Sequence, residues 1–332
     1  MNKISGELQA LIEKECQGKT NIKLTIGTLV DGEKTIQVFG HGGEVANEDY
    51  LYEIGSITKT FTTSLLAKLI HEGVMSLDDA ISKYFDGLDG DYYPTLRRLA
   101  THTAGYGHYP ASFLDGFKSL ILPRVTGSRN GGVLPGFVEI DEKKMKKLLH
   151  ENKKEDKDYP WAYSNFGLGL VGYALGKASG AGYQAAMGEF LKNDLEMPNS
   201  FTHVKNSTLQ AYDRKNRKIG NWDFSNTVLD GTGCINSTAE DMLTYAGKQM
   251  DGSSYLSLAH EIKTSISKKY GSGLAWVIDK DNTQLIMHGG GTGGFDSLLI
   301  IDKQKKNAVV VLSNYIINMN KIITAVLKEL ES

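Results

Sequence analysis

The chain has 332 residues, 40% of them hydrophobic and 23% charged, enough for a large core in two lobes of one globular unit and incompatible with a disordered polymer. Its formal net charge of −2, from 37 basic and 39 acidic side chains, gives no electrostatic reason to expect nucleic acid or an anionic membrane as partner. Two cysteines, Cys16 and Cys234, leave room for one disulfide but indicate neither a disulfide scaffold nor a zinc site.

The opening residues, MNKISGELQALIEKECQGKT, are polar, with Ile4, Leu8, Leu11 and Ile12 at helical spacing. They contain no apolar region of a signal peptide, and no run along the chain approaches the ~18 apolar residues of a membrane span. The chain as written is therefore expected in the cytosol, or outside the cell had a leader been removed.

Ile22, Leu24, Ile26, Thr28 and Val30 alternate, which predicts a half-buried strand. Asp31-Gly32 supplies a tight turn into a second strand with Ile36 and Val38. A strand-like YLYEI leads into Ser56, from which Ile57, Phe61, Leu65, Leu66, Leu69 and Ile70 mark a helix ending at Gly73. The middle, roughly 74 to 230, alternates short helical patterns with loops. Its part from Tyr106 to Asp158 holds a Gly-rich turn (GSRNGG) and a mixed-charge run, DEKKMKKLLHENKKEDKD, that reads as a solvated helix and loop.

Towards the end GLAWVID, TQLIMH, DSLLIID and NAVVVLS read as four strands of an antiparallel meander. Met319, Ile322, Ile323, Val326, Leu327 and Leu330 then form the apolar stripe of a closing helix. The predicted fold is an α/β sandwich: an antiparallel sheet of five or more strands, flanked by N- and C-terminal helices and interrupted by a mainly helical lobe. The expected division is 1–60 with 231–332 as the sheet lobe and 61–230 as the helical lobe, with a site in the cleft between them.

Three short motifs carry chemistry. In EIGSITKTF, Ser56 and Lys59 lie one helical turn apart. The apolar neighbours Ile57 and Phe61 imply burial, which depresses a lysine pKa and lets the amine accept a proton from a serine hydroxyl. The alternative is a helix-capping serine with an exposed lysine. The same Ser-x-x-Lys spacing recurs at Ser265 and Lys268, in a short polar segment that reads as surface.

Tyr163-Ser164-Asn165 is the only Tyr-x-Asn. Its phenol and amide at i and i+2 can face one cavity, against the alternative of a capping residue beside a packing tyrosine. His288-Gly289-Gly290 opens HGGGTGGF, where a backbone stripped of side chains lets a ligand lie against a strand edge. His-x-Gly also occurs at His41 and His71, near a turn and a helix end, and both read as structural. The GxGxxG matches at Gly289, Gly291 and Gly294 and at Gly167, Gly169 and Gly172 lack the strand–loop–helix context of a dinucleotide site. No GxSxG elbow occurs.

With Ser-x-x-Lys, Tyr-x-Asn and His-x-Gly in that order, the chain resembles the serine β-lactamase and penicillin-binding-protein superfamily. The likeness is to the branch with class C β-lactamases, D-alanyl-D-alanine carboxypeptidases, D-aminopeptidases and esterases. LATHTAGY, LDGTGCINSTAEDMLTYA and HGGGTGGFDSLLIIDKQKKNAVVVLSN are similar to further segments of that family, so the resemblance spans nearly the whole chain.

The resemblance implies the β-lactamase/transpeptidase-like fold, with Ser56 as acylated nucleophile, Lys59 as its activator and Tyr163 as proton shuttle. Which of Lys59 and Tyr163 takes the proton stays open. Asn165, His288, Gly290, Gly291 and Thr292 would contact substrate, and the backbone N–H groups of Ser56 and Gly291 would form the oxyanion hole. His288 stands where β-lactamases usually carry lysine, and Gly289 where relatives usually carry Thr or Ser for a substrate carboxylate; Thr292 is the nearest replacement hydroxyl. The implied activity is a serine hydrolase acting on an ester or peptide containing a D-amino acid, with no metal and no cofactor. The alternatives are a class C type β-lactamase, with β-lactams as substrates, and a penicillin-binding sensor that turns over slowly. The residues carry no signal of oligomeric state.

Overall fold

A computed structural model describes residues 4–88, 91–108, 140–224 and 227–331. The Gly-rich turn at 127–132 and most of the segment expected to vary lie outside the described residues, as does the Leu330 side chain.

The centre is an antiparallel sheet that joins the two ends of the chain. Leu24–Val30 (β1) pairs with Glu33–Gly40 (β2) through the Asp31-Gly32 turn, where both residues take positive φ of 50° and 85°. Gly43–Val45 (β3) extends that edge. Two short pairs lie outside the main sheet: Tyr52–Glu53 (β4) with Asn236–Ser237 (β7), and Ala211–Tyr212 (β5) with Lys218–Ile219 (β6).

On its other side β1 pairs with Asn307–Ser313 (β13), register Val30 to Asn307, which closes the sheet around the intervening chain. Asp296–Asp302 (β12) and Leu285–Gly291 (β11) follow, then Val277–Asp279 (β10), Tyr270–Ser272 (β9) and Thr264–Ser265 (β8). The described residues thus form a nine-stranded sheet in the order β3-β2-β1-β13-β12-β11-β10-β9-β8. The predicted four-strand meander is present within it. GLAWVID contributes only its last three residues, because Ala275 turns to a φ of 61° and Gly273 packs against the Ala259 carbonyl.

Helices cover both faces. Gly6–Cys16 (α1) and Met319–Glu331 (α8) bury Leu8, Ile12, Ile322 and Val326 against Leu24, Ile26, Leu298, Ile300 and Val311. Alternate residues, Leu299, Ile301, Val310 and Leu312, point the other way into the larger core, together with Met242, Leu243 and Ala246 of Ala239–Gln249 (α7). Strand β1 is therefore buried on both faces, not half-buried as its alternation suggested. A polar residue such as Thr25 or Thr28 fits there beside apolar neighbours on either side.

Thr58–His71 (α2) runs through the larger core. Its residues from Thr58 to Ala67 are buried, so it is apolar or satisfied on every side instead of carrying one stripe. The hydroxyls of Thr60, Thr62 and Thr63 donate to the carbonyls of Ile57, Gly231 and Leu274 at 2.8, 2.7 and 3.0 Å. Such bonds keep buried polar atoms from costing ~1–3 kcal/mol each.

Leu96–Ala100 (α3), Glu142–Glu151 (α4), Asn165–Ser179 (α5) and Tyr183–Glu189 (α6) pack around the same core, where the mixed-charge run turns out to bury Met145, Leu148 and Leu149. The glycines of α5 serve packing: a Cβ on Gly169 or Gly172 would strike Leu229 or Gly231. Cys16 and Cys234 are free thiols buried in different cores.

Candidate active site

Ser56 does not cap α2. It sits in a single 3₁₀ turn, Gly55–Ile57, and no side chain makes a capping bond at that end. Gly55 holds a φ of +49°, and a Cβ there would lie 2.7 Å from the Gly291 nitrogen. Only glycine permits this approach, which sets the start of α2 against the end of β11. Gly290 serves the same contact, since its Cβ would fall 2.1 Å from the Ile54 carbonyl oxygen.

One turn on, the Lys59 Nζ lies 2.8 Å from Ser56 Oγ and donates to the Thr232 carbonyl at 2.9 Å. The side chain is fully buried, and burial drives its pKa well below the ordinary lysine value. The Thr232 carbonyl is presented by the 3₁₀ turn Asp230–Thr232, which packs on α5 at Gly172.

Tyr163 stands over the pair, its ring centroid 5.1 Å from Lys59 Nζ and its hydroxyl interacting with Ser56. Burial raises the phenol to about 12 and the bond to Ser56 opposes that rise. Ser164 is the cap of α5, its Oγ accepting from the Gly167 N–H at 2.9 Å, which leaves both flanking side chains for other work. The loop is tied to the 102–108 segment. Ala162 N–H donates to the His102 carbonyl at 3.0 Å and Ser164 N–H to His102 Nδ1 at 3.1 Å. The His102 ring packs tilted against that of Tyr163, centroids 4.8 Å apart.

His288 approaches Tyr163 from β11, ring centroids 6.5 Å apart, with Nδ1 2.6 Å from the Gly289 carbonyl oxygen. Burial first and the Lys59 charge second lower its pKa to about 3, so the imidazole is neutral near pH 7. His102 is lowered to about 3 by the same two causes, in the same order.

A cavity of about 140 Å³ opens onto Ser56, lined also by Asn165, Thr232 and the backbones of Gly55, Gly233 and Gly291. Two further lining residues, His108 and Trp222, were not anticipated from the sequence. His108 Nδ1 is 3.3 Å from Asn165 Nδ2. Trp222 N–H donates to Glu53 Oε1 at 2.8 Å, and burial lifts that carboxyl to about 7.

Thr292, expected in contact with substrate, does not line the cavity. Its hydroxyl is buried and turned to the Glu53 carboxyl, whose pKa it helps to hold down against burial. Gly290 likewise turns to Ile54, away from the cavity. The second Ser-x-x-Lys is dispersed: Ser265 is exposed and accepts from Lys280 Nζ at 2.6 Å, not from Lys268. Among the described residues no cluster of His, Cys, Asp or Glu is placed to hold a metal ion, and no helix is long and apolar enough to cross a membrane.

Comparison with known proteins agrees with this layout. The fold is shared with the class C β-lactamase of Rhodobacter sphaeroides, at a TM-score of 0.77 and 19% identity over 99% of this chain and 100% of that one. A D-stereospecific amidohydrolase from Streptomyces gives 0.69 at 22% identity, covering 96% of this chain and 98% of that one.

Among curated proteins, the D-alanyl-D-alanine-carboxypeptidase/endopeptidase AmpH of Escherichia coli K12 is 26% identical over 89% of this chain and 79% of its own. A β-lactamase of Providencia stuartii is 25% identical over 67% of this chain. The chain spans 54% of that enzyme's length and 60% of the length of penicillin-binding protein 4* of Bacillus subtilis. The family model described as Beta-lactamase matches residues 26–317, and the chain belongs to this family of serine hydrolases.

Proposed function

We propose that the chain hydrolyses an ester or peptide containing a D-amino acid, through an acyl-enzyme on Ser56. The observation that carries this reading is the 2.8 Å contact between Ser56 Oγ and a fully buried lysine amine. An amine whose charged form is disfavoured by burial accepts the hydroxyl proton as Oγ bonds the substrate carbonyl carbon. Tyr163, in contact with Ser56, would give its phenol proton to the leaving nitrogen or oxygen as its bond to carbon breaks, and would regain a proton from Lys59.

The Ser56 and Gly291 N–H groups would hold the oxyanion, a donor pair in which losing one member costs ~3 kcal/mol. Water then attacks the acyl ester with the same groups in reverse. Asn165 and His288 would orient the substrate beside the nucleophile. The D-configuration is supported by two relatives that carry it in their names, AmpH and the Streptomyces amidohydrolase.

A β-lactamase activity is the second reading, favoured by the relatives that bear that name. A panel of D-amino esters, D-peptides and penicillins, run on wild type beside Ser56→Ala, tests both. Turnover of D-esters or D-peptides that vanishes in Ser56→Ala supports the first reading. Turnover of penicillins alone supports the second, and equal turnover by both proteins would end the mechanism.

A further inference from the structure

We infer that the substrate presents no negative charge to this pocket: the scissile ester or amide has a neutral leaving side, as an alkyl ester, a carboxamide or an internal peptide bond does. The inference rests on the serine-hydrolase reading above and narrows it to a substrate class.

The charge inventory of the pocket carries it. Among the described residues, the side chains that line the cavity are those of Ser56, His108, Asn165, Trp222 and Thr232, the rest of the wall being glycine backbone; none is a lysine or arginine. The nearby lysine, Lys59, is fully buried, burial disfavours its charged form, and its nitrogen is engaged by Ser56 Oγ and the Thr232 carbonyl. His288 is buried with Nδ1 against the Gly289 carbonyl, and burial with the Lys59 charge keeps its ring neutral. His108 is held down in the same way, by burial first and Lys59 second.

The groups just behind the wall have the opposite sign. Glu53 lies three residues before Ser56 and grips the backbone of Trp222 at 2.8 Å. Asp230 opens the turn that delivers Thr232 and Gly233, its Oδ1 accepting from Gly231 N–H at 3.0 Å. Burial raises both carboxyls to about 7, so each is partly ionised at neutral pH. The hydroxyl that could have received an anion here, Thr292, faces Glu53 instead. A carboxylate entering the cavity would shed water and find no basic side chain among the described lining residues, with two carboxyls behind the wall, whereas a neutral amide or alkyl group loses less on leaving water.

The test is a matched pair of esters of N-acetyl-D-alanine, one with 3-hydroxybenzamide and one with 3-hydroxybenzoate as leaving group, which differ in charge and hardly in shape. Wild-type enzyme at pH 7.5 (a chosen assay condition) is expected to show kcat/KM roughly 100-fold higher for the carboxamide, a ratio that shrinks as salt is raised. Equal rates, or preference for the carboxylate, would overturn the inference while leaving the hydrolase reading intact. Turnover of neither ester, with no acylation of Ser56, would overturn both.

Discussion

At the scale of single residues, the proposed chemistry turns on a lysine whose charged form burial disfavours. A surface lysine is protonated near pH 7 and has no lone pair to offer, whereas burial between α2 and the 230–232 turn favours the neutral amine, which can accept a proton. Lys59→Met should lower kcat/KM by roughly 10³-fold or more while leaving the folded chain intact, read by steady-state kinetics and circular dichroism. In the wild type, kcat/KM should rise with pH as Lys59 sheds its proton, along a limb centred below the ordinary lysine range.

Tyr163→Phe keeps the ring between Lys59, His102 and His288 but removes the hydroxyl at Ser56, and should cost about 10²–10⁴-fold in kcat. That Ser56, Lys59 and Tyr163 come together was legible because each belongs to a short motif, and because Ile57 and Phe61 announced a buried helix where Ser265 had only polar neighbours. His102, His108 and Trp222 were not legible as site residues. They join the site through contacts across long stretches of chain, such as Ser164 N–H to His102 Nδ1, that leave no local pattern.

At the scale of elements, the site depends on two backbone segments meeting where side chains would not fit. Gly55→Ala should strain the positive φ and push the Gly291 backbone away, lowering kcat by about 10²–10³-fold with a smaller change in KM, the signature of a lost oxyanion donor. It should also cost ~1–3 kcal/mol of stability in denaturant unfolding. Glycine crowding in HGGGTGGF was legible, but its cause is divided. Gly291 faces the cavity, whereas Gly290 is empty of side chain so that β11 can touch Ile54.

The two-residue hairpin at Asp31-Gly32 was readable because its turn chemistry is local. The shortness of β10 was not, since the bend at Ala275 answers to the distant Ala259 carbonyl. The burial of β1 on both faces could not be read either, because the helix that covers its second face, α7, lies far along the chain.

At the scale of the whole molecule, residues from many distant parts of the sequence build one small site, so its stability and its chemistry are linked. Lys59 sheds its proton at lower pH when folded than when unfolded, so between those two values the unfolded chain binds more protons and stability grows as pH rises. Glu53 behaves oppositely: raised to about 7 when folded, it contributes a loss of stability as pH climbs from its unfolded value of about 4.5 through 7.

Thermal melts should therefore show Glu53→Gln gaining on wild type between pH 5 and pH 8, with the Trp222 bond preserved by the amide oxygen. Lys59→Met should be more stable than wild type near pH 7, by roughly 0.5–2 kcal/mol, because an active-site group selected for chemistry is a poor core residue. The sandwich itself was legible because both termini announced strands and a helix, and one sheet is the economical way to pair them.

The central claim is that Ser56 is the residue acylated. Incubation with a fluorophosphonate, followed by proteolysis and mass spectrometry, measures this directly. The expected result is one adduct, on the peptide containing EIGSITKTF at Ser56, absent from Ser56→Ala. An adduct at Ser265 or any other serine, or labelling that persists in Ser56→Ala, would contradict the account.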